Sequence, residues 1–383
     1  MNKLILKIVI KIVVIFGLLM ERIKSRLLFF RHLLKKSYFF IEKPINDKHV
    51  LLLALYEKDK VREDIFELIK HYKKNNFSII AINTSKLKQK QKDKLTPFCD
   101  VYLERNNYGQ CFGSYKEGLL YLYKHTDYQN IKSVTILNDS VYYLKENLPK
   151  LIDLSKSAHF FGLTENKDFH YHISSYALFI SNKVLMEDVF KNFWKKYKLT
   201  SSRKDIILNG EIKLSKILIE NNYNLKPAFD IDVLSKIYLH QIFELYPRIF
   251  LNDEGYQKNY QKIYKALEGQ SIFKKIKYLN FFSYKHHKQF EANYLEINTL
   301  VINSFMEGSQ IHKNYLIFLY DQFPCIKLDL LTRANISIDD LSILNKMFQK
   351  NQDFISFQKL LLPRFIKKST SLYKETLYRN GII

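Results

Sequence analysis

The sequence predicts an α/β fold: a mostly parallel sheet covered by helices, with a basic amphipathic helix before it and a mostly α-helical region after it. From residue 50, short apolar runs typical of buried strands alternate with segments of helical apolar spacing. The first 48 residues carry 11 basic and 3 acidic side chains around an apolar run at residues 4–20. Beyond residue 234 the pattern is helical and rich in Tyr, Phe and Lys. The predicted segments are residues 1–48, 49–234 and 235–383.

Composition narrows the classes of protein. A length of 383 residues with 47% hydrophobic content is enough for two compact units. The formal charge of +23 predicts an anionic partner. Lys and Arg are spread along the whole chain instead of forming one stripe, so we expect no nucleic-acid partner. Cys99, Cys111 and Cys325 are too far apart for a zinc motif and odd in number, which favours a reducing compartment.

The N-terminal segment is predicted to associate with a membrane. Lys3, Lys7 and Lys11 recur every four residues and therefore share one face of a helix. The uninterrupted apolar piece, residues 12–20, is too short to cross roughly 30 Å of hydrocarbon. We expect a helix lying in the interface of an anionic membrane. A transmembrane anchor with snorkelling lysines and an uncleaved signal-like segment remain open alternatives.

Each element of the predicted sheet follows from its pattern. Buried strands are predicted at residues 50–55, 78–83, 101–103, 133–137, 159–163 and 171–181. Helices are predicted over residues 61–72, 86–94, 113–126, 145–155, 184–197 and 205–221. Asn138 and Asp139 come directly after a buried strand. Open α/β sheets bind ligands at the carboxyl ends of their strands, so these two residues are candidates for a ligand site.

Glycine is concentrated in one part of this glycine-poor chain. Five of the ten glycines lie between residues 109 and 210, namely Gly109, Gly113, Gly118, Gly162 and Gly210. Such clustering is typical of close backbone approach to a ligand, and equally of ordinary turns.

Several motifs occur in a characteristic order. They are RNNYGQCFGSYKEGL at residues 105–119, ILNDSVY at 136–142, FFGLTEN at 160–166, YHISSYALFI at 171–180, NGEIKLSKIL at 209–218 and FPCIKLDLLTRAN at 323–335. In this order they resemble the rhamnan synthesis protein F family of bacterial glycosyltransferases. The first motif matches the family pattern at Arg105, Asn107, Gly109, Phe112, Gly113, Ser114, Tyr115 and Lys116. Two positions depart from it, because Cys111 replaces an Asp and Ser174 replaces a Gln.

The resemblance implies a GT-A-like nucleotide-sugar-binding domain and a hexosyltransferase activity. The implied donor is a deoxyhexose such as rhamnose on dTDP, with UDP- and GDP-linked sugars left open. The implied acceptor is a lipid-linked or growing surface polysaccharide, such as lipopolysaccharide or capsule, at the cytoplasmic face of the inner membrane. The alternative is a non-catalytic component that binds glycan or nucleotide sugar. The absence of a carboxylate at Cys111 favours this alternative.

A glycosyltransferase holds a nucleotide diphosphate and stabilises its negative charge as the glycosidic bond breaks. Asp139 is the predicted ligand of a divalent cation, Mn²⁺ or Mg²⁺, that bridges the diphosphate. Asn138 and Ser140 are predicted to bind the nucleotide, or else to form an Asx cap at the strand end. The same resemblance places the phosphates against Arg105, Asn107, Gly109, Gly113 and Lys116, and surface salt bridges are the alternative for the two cations.

The reaction also needs a base for the acceptor hydroxyl. Glu211, at the start of an amphipathic helix, and Glu165, in the Gly-Leu-Thr-Glu turn, are the two candidates. Glu211 has an alternative role as a carboxylate favoured by the helix dipole. His172 is predicted to orient substrate hydroxyls, with a packed core histidine as the alternative.

Overall fold

The computed structural model describes residues 3–34, 37–157, 161–167, 170–231, 233–234, 309–313 and 315–332. Its strands are β1 Tyr38–Glu42, β2 His49–Leu55, β3 Phe77–Asn83, β4 Val101–Glu104, β5 Ser133–Asn138, β6 Val141–Tyr143, β7 Phe161–Gly162, β8 Glu165–Asn166, β9 His172–Ile173, β10 Ala177–Ser181 and β11 Cys325–Lys327. Seven of them form one sheet in the order β1-β4-β3-β2-β5-β10-β7.

The centre of this sheet is parallel. Strands β4, β3, β2 and β5 run in the same direction, whereas β1 and β10 pair antiparallel with β4 and β5 at the two ends of this set. β7 pairs antiparallel with β10 and therefore runs in the direction of the central strands. All residues of β3, β4 and β5 are buried, which explains why the apolar residues of these strands are not confined to alternate positions. The mixed α/β class with a parallel core is confirmed.

Helices cover both faces of the sheet. They are α1 Lys3–Leu33, α2 Glu63–Lys74, α3 Gln89–Leu95, α4 Gln110–His125, α5 Leu148–Lys156, α6 Asn182–Met186, α7 Asp188–Lys196, α8 Arg203–Ile206 and α9 Lys213–Glu220, then α10 Gln310–Lys313, α11 Tyr315–Tyr320 and α12 Leu328–Thr332. A π-helical turn, Ile207–Ile212, joins α8 to α9.

Alternate residues of β2 divide between two cores. Leu51 and Leu53 face the core that α2 and α5 cover. Leu52 and Ala54 face the core that α4, α7 and α9 cover. The period of two along the strand therefore builds a three-layer helix–sheet–helix arrangement.

Three local predictions need correction. The strand expected at residues 171–181 is divided into β9 and β10, with residues 174–176 between them. The helix expected at 205–221 contains the π-helical turn. β1, which pairs with β4, lies inside the segment predicted as membrane-associating, so part of residues 1–48 belongs to the sheet.

The C-terminal part that the structure describes packs on the α/β domain. β11 pairs antiparallel with β6, and Phe318 and Phe323 join the same core as Phe229. Residues 235–308 and 333–383 lie outside the described residues, so the boundary near residue 235 and the mostly helical region beyond it stay predictions.

Helix α1 docks on the domain along one side. Ser25 Oγ accepts a hydrogen bond from the Ser201 amide at 2.8 Å, and Arg22 lies 3.2 Å from Asp205. Nearer the end of the helix, His32 Nδ1 is 3.1 Å from Asn106 Oδ1. The helices of the described part include none with both the length and the apolar content to cross a bilayer.

Candidate functional site

The candidate site lies at the carboxyl edge of the sheet, between β2 and β5. From β2 the chain builds the sheet toward β3 and β4, then returns through α4 to place β5 on the other side of β2. Such a reversal of strand order leaves a crevice beyond the strand ends, where open α/β sheets bind ligands.

Asp139 occupies this crevice. Its amide donates to the Ala54 carbonyl at 3.2 Å, and its carboxylate accepts a hydrogen bond from the Tyr56 amide. Burial raises the pKa of Asp139, while the Tyr56 amide and the Arg62 guanidinium act in the opposite direction. The predicted metal ligand is therefore held at the point where β2 and β5 end.

Arg62, which the sequence analysis did not single out, organises the acidic side chains beside Asp139. Its guanidinium donates to the carbonyls of Asp139 and Val141 at 2.9 and 2.7 Å. It also makes two bonds to the Asp64 carboxylate, at 3.0 and 3.2 Å, and lies 3.7 Å from Glu57. Because each of its three nitrogens donates to a protein oxygen, Arg62 fixes the turn after β5.

Glu57 carries an unusually high pKa in this cluster. Burial raises the pKa of Glu57 from 4.5 to about 7; Arg62 opposes the rise, and Asp139 and Asp64 add to it. In the unfolded chain this carboxyl releases its proton near pH 4.5, whereas the folded protein keeps it to about pH 7. The free energy of unfolding therefore falls as pH rises through this window.

We expect Glu57→Gln to remove this pH dependence. The variant should gain stability over the wild type between pH 5 and pH 8, by up to about 3 kcal/mol, since one pKa unit corresponds to about 1.4 kcal/mol. Urea denaturation of both proteins at the two pH values measures the difference. Parallel behaviour of wild type and variant across the window would contradict the assignment.

The divalent cation predicted from the sequence would find a single carboxylate anchor at Asp139. Within the described ranges, no group of three or more His, Cys, Asp and Glu side chains lies together in a way that could hold a metal ion. Asp139 fits a cation that takes one carboxylate from the protein and completes its oxygen ligands from a bound diphosphate and water, as Mg²⁺ commonly does.

Asn138 and Ser140 form the turn that holds Asp139. Asn138 Oδ1 accepts from the Ser140 amide at 3.0 Å and from its hydroxyl at 2.6 Å. Asn138 Nδ2 donates to the Tyr115 hydroxyl at 2.7 Å. The Asx cap, the alternative interpretation of this motif, is what the structure shows, and the Asn138 side chain is occupied within the protein.

A hydrogen-bonded chain continues from this turn to Glu211. The Tyr115 hydroxyl donates to the Ser175 carbonyl at 2.9 Å, and the Ser175 hydroxyl and amide both donate to one carboxylate oxygen of Glu211. The other oxygen of Glu211 lies 3.7 Å from His172 Nε2. The metal candidate and the base candidate are thus joined by one network, Asn138–Tyr115–Ser175–Glu211.

When the His172 ring is neutral, its Nε2 atom is a hydrogen-bond acceptor and faces Glu211. Nδ1 is 2.8 Å from the His170 carbonyl and must donate to it, which leaves Nε2 without a proton in the neutral ring. Nε2 is buried and has no hydrogen-bond partner among the described residues. At 3.7 Å the Glu211 carboxylate is close enough to form an ion pair with a protonated ring, so the two residues are the candidate acceptor for the proton of a hydroxyl.

Glu165 takes a different position. In the β8–β9 ladder Glu165 pairs with Ile173, while His172 pairs with Asn166. Successive side chains of a strand point to opposite faces, so Glu165 and His172 lie on opposite faces of this hairpin. Glu165 is instead 3.0 Å from Lys167. The geometry favours Glu211 over Glu165 as the base.

The prediction that Arg105 binds phosphate needs correction. Its guanidinium lies 2.8 Å from Glu117 and donates to the Tyr108 carbonyl at 2.6 Å, with 1% of the side chain exposed. It follows β4, three strand spacings from β5, or about 14 Å at the usual separation. Arg105 therefore stabilises the loop before α4 and does not face the crevice.

The neighbouring phosphate candidates also make their contacts within the protein. Lys116 Nζ donates to the carbonyls of Lys195 and Tyr197, at 3.1 and 2.7 Å, and so caps α7. Gly109 has a φ of 82° at the start of α4, and its carbonyl accepts the Gly113 amide at 2.8 Å. A Cβ on Gly113 would lie 2.7 Å from the Tyr108 carbonyl oxygen. These are packing and turn roles, not a phosphate cradle.

Asn107, the remaining member of that group, is exposed in the same loop. Its carbonyl accepts the Gln110 amide at 3.2 Å. Among the five phosphate candidates that the first motif supplied, Asn107 is exposed and Lys116 is half-buried, whereas Arg105, Gly109 and Gly113 are buried.

A different cation, Lys327, lies beside the turn that holds Asp139. Lys327, on β11, donates to the Ser140 hydroxyl at 2.7 Å and lies 5.0 Å above the Tyr176 ring. Burial raises the pKa of Cys111 to about 11; Glu211 adds to the rise and Lys327 opposes it. Cys111 therefore lies within the fields of both residues. The only sequence signal for Lys327 was its place in the FPCIKLDLL block.

Comparison with known proteins bears on this geometry. The family model of rhamnan synthesis protein F matches residues 79–280, which is more than half of the chain. The chain belongs to the rhamnan synthesis protein F family. The match contains Asp139, His172 and Glu211, whereas Arg62 and Lys327, which complete the crevice of this family member, lie outside it.

Individual relatives of this rhamnan synthesis F protein are more distant. The uncharacterized protein y4gN of Sinorhizobium fredii (strain NBRC 101917 / NGR234) is 26% identical over 180 residues, 45% of this chain and 46% of y4gN. The virulence protein VirA of Vibrio anguillarum (strain ATCC 68554 / 775) is 26% identical over 200 residues, 52% of this chain and 65% of VirA. The chain thus spans less than two thirds of the length of these relatives.

Among solved structures, the glycosyltransferase GlyE of Streptococcus pneumoniae TIGR4 is similar with a TM-score of 0.29 and 12% identity. The similarity covers 53% of this chain and 51% of GlyE.

Proposed function

We propose that this protein is a glycosyltransferase that moves a sugar from a nucleotide diphosphate to a lipid-linked or growing cell-surface polysaccharide. The observation that carries the proposal is one hydrogen-bonded network that joins two candidate sites. Asp139 and Lys327 offer a carboxylate and a cation at the strand ends, and the Glu211–His172 pair lies at the end of the same hydrogen-bonded network. Family membership supports the same class of activity.

In this proposal the diphosphate binds between Asp139 and Lys327. A divalent cation on Asp139 supplies positive charge to the diphosphate oxygens when it is bound. Lys327 donates a hydrogen bond to the leaving oxygen, and its hydrogen bond to Ser140 holds it over the turn. The Glu211–His172 pair accepts the proton of the acceptor hydroxyl. Removal of that proton makes the hydroxyl oxygen the nucleophile that displaces the nucleotide diphosphate.

The donor is proposed to be a deoxyhexose such as rhamnose on dTDP, with UDP- and GDP-linked sugars as the other candidates. Hydrolysis of a panel of dTDP-, UDP- and GDP-sugars by the purified protein, with and without Mn²⁺, tests the activity. Turnover of at least one donor supports the proposal.

A second candidate function is a non-catalytic nucleotide-sugar- or glycan-binding component of a polysaccharide-assembly complex. Cys111 favours it, since a thiol that lies within the fields of Glu211 and Lys327 replaces the carboxylate of the family pattern. Binding of a donor without hydrolysis of any member of the panel would favour this function.

We further propose that α1 holds the protein on an anionic membrane, at the cytoplasmic face of the inner membrane. The side of α1 turned away from the domain exposes apolar residues at helical spacing, namely Ile12, Ile15, Phe16, Leu19, Ile23, Leu27 and Phe30. Basic side chains flank them, including Arg22 and Lys24, which are 63% and 70% exposed. An exposed apolar stripe beside cations is typical of helices that lie in the bilayer interface.

Replacing Ile15, Leu19 and Ile23 by Ser should abolish cosedimentation with phosphatidylglycerol vesicles, because about half of each side chain or more is exposed and would be lost from the lipid contact. The matched control replaces Leu208, Ile219 and Val233 by Ser, which are also exposed but lie elsewhere on the domain. Equal vesicle binding by both variants would contradict the role of α1.

A further inference from the structure

A groove with basic side chains, separate from the crevice, lies between α7 and the π-helical turn that leads into α9. Its volume is about 660 Å³, within the usual range for small-ligand sites. Three lysines and three asparagines contribute to its walls, namely Asn192, Lys196, Lys198, Asn209, Lys213 and Asn221. The one carboxylate in the lining, Glu220, lies 3.7 Å from Lys216. The lining therefore carries a net positive charge.

The chemistry of the walls indicates the class of ligand. A carboxamide both donates and accepts hydrogen bonds, so Asn192 and Asn209 suit the hydroxyls of a sugar chain. Asn221 Nδ2 donates to the Ile217 carbonyl at 2.8 Å and so also caps the end of α9. Lysines supply point charges for a carboxylate or phosphate. The aromatic residues of the lining, Phe193 and Tyr197, are only 7% and 5% exposed and offer no free faces for stacking bases, which disfavours single-stranded nucleic acid.

The π-helical turn connects this groove with the candidate base. Asn209 and Lys213 line the groove, whereas Glu211, between them in sequence, accepts hydrogen bonds from Ser175. Single π-helical turns occur often at functional sites, because the extra residue redirects side chains. One turn thus presents the base to the crevice and polar groups to the groove.

The groove also lies next to the segment that docks α1. Tyr197, at its floor, begins the loop whose Ser201 amide is bonded to Ser25. The groove is thus connected through one short loop to the helix that is proposed to lie on the membrane.

We propose that the groove binds an acidic segment of the acceptor polysaccharide, sugars that carry carboxylate or phosphate groups. The inference rests on the proposed function, because it takes the polysaccharide to be the acceptor. The sugars that precede the reacting end of the polysaccharide occupy the groove. Binding there holds the acceptor without contact to the reacting atoms.

Titration calorimetry at low salt with hexagalacturonate, a phosphorylated mannose oligosaccharide, neutral maltohexaose and a single-stranded 12-mer DNA tests the proposal. We expect one or both acidic glycans to bind, and the stronger of the two identifies the charged group. Lys196→Ala with Lys213→Ala should weaken that binding at least tenfold. The control, Lys195→Ala with Lys226→Ala, removes two exposed lysines outside the groove lining and should change it less than twofold.

Absence of binding by either acidic glycan, equal loss in both double variants, or equally tight binding of the DNA would overturn the proposal. Donor hydrolysis, measured in parallel, should be the same in the wild type and both double variants. If the wild type hydrolyses no donor, the proposed transferase activity fails, while loss of glycan binding confined to the groove variant still supports the groove.

Discussion

Glu211→Gln should lower the rate of sugar transfer by about 10²- to 10⁴-fold, the usual contribution of general base catalysis. Glutamine keeps an oxygen that can accept the hydrogen bonds from Ser175, so the turn around it should remain folded. What is lost is the charge opposite His172 Nε2 that allows the pair to hold a proton. The rate with saturating donor and acceptor measures the effect.

Two further variants make this result specific. Glu63→Gln changes an exposed carboxylate on α2 and should leave the rate unchanged. Glu165→Gln should also have a small effect, because its carboxylate is paired with Lys167 on the other face of the hairpin. A large loss in Glu165→Gln with normal rates in Glu211→Gln would reverse the assignment of the base.

Asp139→Asn should abolish the metal-dependent turnover, a loss of at least about 10²-fold, which is typical of removing one preorganised charge from a reaction centre. The amide keeps an oxygen to accept the Tyr56 amide hydrogen, and the main-chain bonds of residue 139 do not depend on its side chain. The fold should therefore survive, and thermal unfolding should show a midpoint close to that of the wild type.

The measurement is donor hydrolysis as a function of Mn²⁺ concentration. Asp153→Asn, an exposed carboxylate on α5, is the matched control and should titrate like the wild type. Wild-type rates and the same Mn²⁺ dependence in Asp139→Asn would remove Asp139 from the mechanism.

The predictable parts of the fold are the elements that have a recognisable local sequence pattern. Runs such as residues 50–55 and 133–137 are buried on both faces, so their apolar residues are not confined to alternate positions. Asp139 was identifiable because it follows such a run. β1 was missed because its residues, 38–42, continue the apolar pattern of the helix before it, and only pairing with β4 makes them a strand.

The cations of the site were not predictable from local patterns. Arg105 resembles a phosphate ligand in its motif, but its partner Glu117 lies twelve residues further along and its charge is neutralised inside the domain. Lys327 reaches Ser140 across 187 residues, through the pairing of β11 with β6. Sequence spacing carries no signal for such a contact, since tertiary packing alone creates it.

The location of the diphosphate tests the account most directly. A crystal structure of the full chain with dTDP and Mn²⁺ should show the two phosphates at the ends of β2 and β5, with oxygens near Lys327 Nζ and the metal on the Asp139 carboxylate. Phosphates bound instead at the start of α4, beside Gly109 and Arg105, would contradict it.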